Sequence, residues 1–183
     1  MTVGSTSDVQ PVSVTLDWPA SSEFTYTNFA RWSDSNSDTV SGDGVLAYGI
    51  PTTLGDVPIT GSATYAGSIR GLTSEGLDVW GGVSLAFNFG AGSLSGSMTP
   101  EIAPVWDAVS LGAYTFRDTV YSTGQTSFSG AFEVPGLTGP SSFRGSFTGP
   151  SAAELMASWN APYHNPETNQ TGTMAGVWVA KIP

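Results

Sequence analysis

Residues 128–132 read Phe-Ser-Gly-Ala-Phe and residues 143–147 read Phe-Arg-Gly-Ser-Phe. Each stretch sets a glycine midway between two large apolar residues. The same spacing recurs at Tyr65-Gly67-Ile69, Leu94-Gly96-Met98 and Met174-Gly176-Trp178. Side chains alternate faces along an extended chain, so all three positions of a copy share one face, while Ser95, Ser97, Ser129 and Ser146 take the other. The copies therefore read as strands with one buried face. A glycine inside a strand weakens it and brings no side chain to pack, so its repeated use between bulky residues marks a sharp bend or a crowded interior. The wall of a small closed barrel supplies both.

The composition agrees with a folded domain. Apolar residues make up 39% and aromatics 11% of the 183 residues, too much for a solvated coil, while 23 Gly and 12 Pro imply a chain punctuated by turns. Five basic residues stand against 15 acidic ones, giving a formal charge of −10. The basic residues, Arg31, Arg70, Arg117, Arg144 and Lys181, are scattered along the chain, which excludes nucleic acid as a partner and disfavours an anionic membrane surface. With no cysteine, neither a disulfide framework nor a thiolate nucleophile or ligand is available. No apolar run is long enough to suggest a membrane span. The opening MTVGSTSDVQPVSV lacks the positive flank and apolar stretch of a secretory signal, which fits a cytosolic protein or a mature form whose targeting segment has been removed. The low charge content and the abundance of Ser, Thr, Gly and Asn favour the second, an extracellular or outer-membrane-surface location.

Residues 1–22 are rich in Ser, Thr and Pro and read as an N-terminal arm or linker, with one alternating stretch from Val12 to Leu16. Residues 23–60 read as a hairpin: an aromatic run containing Phe24, Tyr26, Phe29 and Trp32, a turn-rich tip SDSNSDTVSGDG, and a second apolar run from Val45 to Ile50. Residues 61–183 carry eight strand signals, at 63–72, 79–89, 93–98, 112–120, 126–134, 142–147, 155–160 and 173–181. The expected fold is all-β, an eight-stranded antiparallel barrel with a small N-terminal hairpin. Helix is confined to a single turn within 151–156, after the Gly149-Pro150 pair. A barrel of this size whose inward side chains are Phe, Tyr, Trp and Met is filled, so function is expected on loops and strand ends.

The runs FNFGAGSLSGSM (87–98), YSTGQTSFSGAF (121–132) and FRGSFTGPSAAEL (143–155) resemble the barrel domain of the transferrin-binding protein B family. ATYAGSIRG (63–71) and the closing AGVWVAKI (175–182) are similar in kind to that family's third and last strands, and the preceding hairpin resembles its small handle. The resemblance covers about residues 61–182. It implies a bacterial surface lipoprotein or secreted solute-binding protein, with relatives that capture transferrin, complement regulators or haem, and it implies no reaction. Two departures stand out. Met156, Ala157 and Trp159 occupy positions where relatives tend to carry glycines and Phe. The long charged loops by which large members grip host proteins are absent, so transferrin capture is not carried over, and an acidic barrel this short is expected to take something smaller or cationic.

His164, in APYHNPETNQTGT, is the sole histidine and a candidate axial ligand to haem iron, with the adjacent Tyr163 as a second or alternative ligand. A solvated loop histidine is the ordinary alternative. Met98, Met156 and Met174 read as core. Trp106, Trp32, Phe29 and Tyr26 are candidate ligand-binding aromatics in or near loops, the alternative being barrel plugs and hairpin packing. Asp34, Asn36, Asp38 and Asp43 begin like a calcium loop, but Thr39 stands where the turn glycine belongs and Val45 where the bidentate glutamate belongs. Asn169-Gln170-Thr171 matches a glycosylation sequon by residue type alone. No G-x-S-x-G turn exposes a serine nucleophile, and spacing selects no carboxylate pair among Glu101, Glu133, Glu154 and Glu167.

The sequence thus points to a non-enzymatic exported binding protein that captures a nutrient such as haem and delivers it to an outer-membrane transporter. Its two rivals are a module that binds a host or partner protein through loop aromatics and a lipocalin-like carrier of a small molecule.

Overall fold

The computed structural model describes residues 23–33, 43–103 and 107–183. The arm at 1–22, the calcium-loop candidates Asp34, Asn36 and Asp38, and Trp106 lie outside the described residues. Strands β1 (Thr27–Ser33) and β2 (Asp43–Gly49) pair antiparallel as a separate two-stranded sheet. The second sheet comprises β3 (Ser62–Thr73), β4 (Asp78–Asn88), β5 (Ser93–Ile102), β6 (Val109–Ser110), β7 (Tyr114–Val120), β8 (Ser127–Glu133), β9 (Ser142–Thr148), β10 (Glu154–Asn165) and β11 (Gln170–Lys181). Each long strand pairs antiparallel with the next, β5 passing to β7, and β6 is a two-residue addition at the end of β5. β11 returns to β3, setting Gly176 opposite Gly71 and Trp178 opposite Ile69, so eight strands close into an up-and-down barrel. Along the stretch where all eight strands pair the wall has no edge, and past Asn160 β10 projects beyond β9.

The glycine-centred triplets point inward. At Gly67, Gly96 and Gly176 a Cβ would collide with the backbone of a neighbouring strand. Gly130 and Gly145 serve a ring instead. Gly145 lies directly across from Phe128, and Gly130 directly across from Phe143, so each glycine accepts the opposing phenyl ring. A Cβ on Gly130 would sit 2.5 Å from Phe143 Cζ. Cross-strand pairs are the unit from which a sheet gains side-chain stabilisation, and here each large ring folds down over a residue with no side chain.

The rings fill the lumen in two groups. Phe87 stands 4.8 Å from Phe147 and 5.2 Å from Phe128 and Tyr121, centroid to centroid. Toward the other end Phe116 lies 4.6 Å from Phe143 and stacks on Trp178 at 5.5 Å. Tyr65, Tyr114, Met98, Met174, Leu85 and Leu155 complete the packing. Each such side chain removed from water contributes about 1.5–3 kcal/mol before chain entropy is counted.

The helical turn is a 3-10 turn at Pro150–Ala152, and the rest of the 151–156 stretch already enters β10 at Glu154. β10 also runs to Asn165, beyond the expected end at Asn160. Pro162 within APYHN argues locally for a loop. The pairing of β10 with β9 ends at Asn160, so Pro162 falls on a stretch held by β11 alone, an open edge where a sheet tolerates a residue without an N–H.

The hairpin stands against the outer wall. Outward-facing Val177 and Val179 of β11 and Met156 of β10 meet Phe29 of β1 and Val45 and Ala47 of β2 in a second, small apolar cluster. Its base is tied down by polar contacts. Buried Glu154 accepts the amides of Thr25 at 2.6 Å and Tyr26 at 2.8 Å, Thr27 and Thr148 share a short hydroxyl hydrogen bond, and the Tyr26 ring covers Gly149. Gly149 adopts φ 72°, a conformation that only glycine takes without strain. Residues 51–61 then lead into the barrel, with Val57 buried in the lumen cluster.

Candidate functional site

With side chains occupying the lumen, openings lie on the rim and along the hairpin seam. At the rim where β10 ends, a cavity of about 550 Å³ is lined by Leu111, Tyr114, Val134, Leu137, His164 and Pro166 among others. Along the seam, one cleft of about 350 Å³ lies between the hairpin and β3–β4, and another of about 500 Å³ lies between β2 and the β8–β11 wall.

The rim cavity takes its shape from the ends of several strands. Leu111 follows β6, Val134 to Leu137 form the turn after β8, and His164 is the penultimate residue of β10. His164 is half-buried and faces outward, whereas Tyr163, one residue earlier on the same strand, is fully buried and faces inward. The expectation that both lie in one loop is corrected, because successive side chains of a strand take opposite faces. Tyr163 packs its ring on Gly172, and its hydroxyl has no hydrogen-bond partner among the described residues. Burial, the leading cause, raises its phenol pKa above the ordinary value. The rim offers one imidazole nitrogen, from His164, and an apolar lining from Leu111, Val134 and Leu137. Met98 and Met174 are in the lumen core and Met156 is in the seam, so none of the three lies at this rim.

The hairpin aromatics hold the hairpin in place. Phe29 is buried in the seam beneath the Arg70 guanidinium, whose carbon lies 5.3 Å from the ring centroid. Trp32 lies across Gly44, its partner on β2. Tyr26 caps Gly149 at the end of the barrel from which β10 starts, whereas His164 is at the end where β10 finishes. Tyr26 and His164 are therefore not brought together. On the hairpin's outer side Leu46, Tyr48 and Ile50 are 39%, 38% and 64% exposed.

Two of the four carboxylates considered for catalysis, Glu154 and Glu101, have structural partners. Glu154 is the buried acceptor at the hairpin base, and Glu101 accepts the Trp80 indole N–H at 3.0 Å. Asn169 lies exposed in the turn between β10 and β11. No group of three potential metal-binding side chains occurs among the described residues.

Sequence reasoning did not single out Arg70, Trp80, Arg144, Leu111 or Leu137 as lining residues. Alternation marks Arg70 and Trp80 as outward, but only the β3–β4 register sets them opposite each other. That information is long-range.

No protein-family sequence model matches the chain, and no curated protein matches it. Solved structures do. The vaccine antigen transferrin-binding protein B of Haemophilus parasuis Hp5, as a double mutant, matches 87% of this chain and 33% of its own at 18% identity and a TM-score of 0.59. Intact Ap-TbpB, with N and C lobes, matches 88% of this chain and 35% of its own at 17% identity and 0.55. A mutant of the Actinobacillus pleuropneumoniae H49 protein matches 97% of this chain and 83% of its own at 14% identity and 0.54. The chain thus spans about a third of the first two structures. The fold is a transferrin-binding-protein-B-like barrel with an attached hairpin.

Proposed function

We propose that this protein is a surface or secreted binding protein, without catalytic activity, that uses a filled barrel as a rigid scaffold and takes its ligand at the rim. The observation that carries the reading is the position of the only histidine, half-buried and outward-facing in the lining of an apolar cavity of about 550 Å³. The ligand class favoured is haem, bound as cargo through His164 and handed to an outer-membrane transporter. His164 would supply an imidazole nitrogen to the haem iron, and Leu111, Val134 and Leu137 would shield the bound group from water.

Titrating the purified protein with haem tests this. A new Soret band that is lost or shifted in His164→Ala supports the reading, and absence of the band, or a spectrum unchanged in the variant, removes it. The lipocalin-like alternative loses its premise, because rings occupy the lumen that would hold the carried molecule. A protein-binding alternative rests on the exposed Leu46, Tyr48 and Ile50 of the hairpin.

A further inference from the structure

Two of the five basic residues of this acidic chain line a single cleft, the one between the hairpin and the β3–β4 wall. Its walls include Phe29, Arg31, Val45, Arg70, Asp78 and Trp80, and its volume is about 350 Å³. The two arginines differ in what they hold. Arg31 donates to Asp43 at 2.9 Å and to Asp78 at 2.6 Å, so this one guanidinium is shared by two carboxylates and is already engaged, as is Asp78, the one carboxylate in the lining. Arg70 donates to the Ile69 carbonyl at 2.9 Å and lies over the Phe29 ring, but has no carboxylate partner among the described residues. It stands directly opposite Trp80 on β4, whose indole N–H is engaged by Glu101. What the cleft offers is a guanidinium with unused donors between two aromatic side chains.

We propose that this cleft is a binding site for a small planar aromatic carboxylate, its carboxylate held by Arg70 and its ring set between Phe29 and Trp80. A guanidinium presents N–H groups in a fork that matches a carboxylate, and such charge-assisted pairs are the stronger class of hydrogen bond. The volume is at the small end of ligand sites, suited to one or two fused rings. Arg31, clamped between β2 and β4, keeps the hairpin at the spacing the ring requires. The site is separate from the histidine rim and does not depend on haem binding.

The test is an amide-shift titration of the full chain with three probes of one ring system, 1-naphthoate, 1-naphthalenemethanol and 1-naphthylmethylamine. The expected result is saturable shifts around Val45, Arg70 and Trp80 with naphthoate, and binding at least tenfold weaker for the alcohol and the amine. Arg70→Gln weakens naphthoate at least tenfold, Arg70→Lys recovers part of it, and Arg144→Gln and His164→Ala leave it unchanged. Equal binding of all three probes, shifts centred on the His164 rim, no shifts, or an unaffected Arg70→Gln protein overturns the proposal. The probe series on the unmodified chain decides the matter even if Arg70→Gln fails to fold.

Discussion

Along β11, Met174, Gly176 and Trp178 enter the lumen, while Val177 and Val179 meet the hairpin on the outer wall. One strand therefore serves two apolar clusters built to different densities. Inside, rings lie on glycines and on one another at 4.6–6.5 Å, and the space is taken up by side chains. Outside, a handful of side chains join a two-stranded sheet to the wall and leave clefts on both flanks. The dense cluster makes a scaffold, and the sparse one leaves openings in which a ligand can compete for unused polar groups.

Perturbing the two clusters is expected to produce unlike effects. Trp178→Ala, which empties the centre of the lumen, is expected to lower global stability by about 3–5 kcal/mol, seen as a fall in the urea midpoint. Alkaline pH comes next. Burial raises the Tyr65 and Tyr114 phenols above their ordinary value of 10.0. Below pH 10 both states keep these protons. Above it the unfolded chain loses them first, so stability falls as pH rises, by roughly 1.4 kcal/mol per pH unit for each tyrosine. Tyr65→Phe should flatten that slope, at the cost of the 2.6 Å hydrogen bond to the Ala152 carbonyl.

Gly145→Val forces a branched side chain into the Phe128 ring and the Met156 carbonyl, with an expected global loss of about 1–3 kcal/mol. Phe29→Ala strikes the other cluster. Its cost, about 1.5 kcal/mol, should be local, because an isolated two-stranded hairpin is marginal by itself. Amide exchange should accelerate in β1 and β2 while β8–β10 stay protected. Arg31→Gln, which cuts two half-exposed ion pairs, should cost only about 0.2–1 kcal/mol, and less at high salt. A global loss from Phe29→Ala as large as that from Trp178→Ala would erase the distinction between the clusters.

The barrel was legible in the sequence because its signal is local. Alternation at Phe128-Gly130-Phe132 or Phe143-Gly145-Phe147 states which face is buried, and a central glycine states that the face is crowded. Tyr163 and His164 misled for a local reason too: Pro162 and the polar residues after it look like a loop, and only the early end of β9 explains why a strand continues there. The seam was the least legible part. Arg70, Trp80 and Phe29 come from separate strands, and nothing near any one of them in the chain names the other two.

The claim beneath this account is that the lumen is sealed, and the indoles of Trp159 and Trp178 report on it directly. Both Nε1 groups are buried with no hydrogen-bond partner among the described residues, so exclusion of water alone protects their protons. Hydrogen exchange of these indole protons should be slowed by the full free energy of global unfolding, matching the most protected amides of β10 and β11. Exchange orders of magnitude faster than those amides, under conditions where the barrel stays folded, would mean that solvent enters the interior and that the barrel is a container rather than a scaffold.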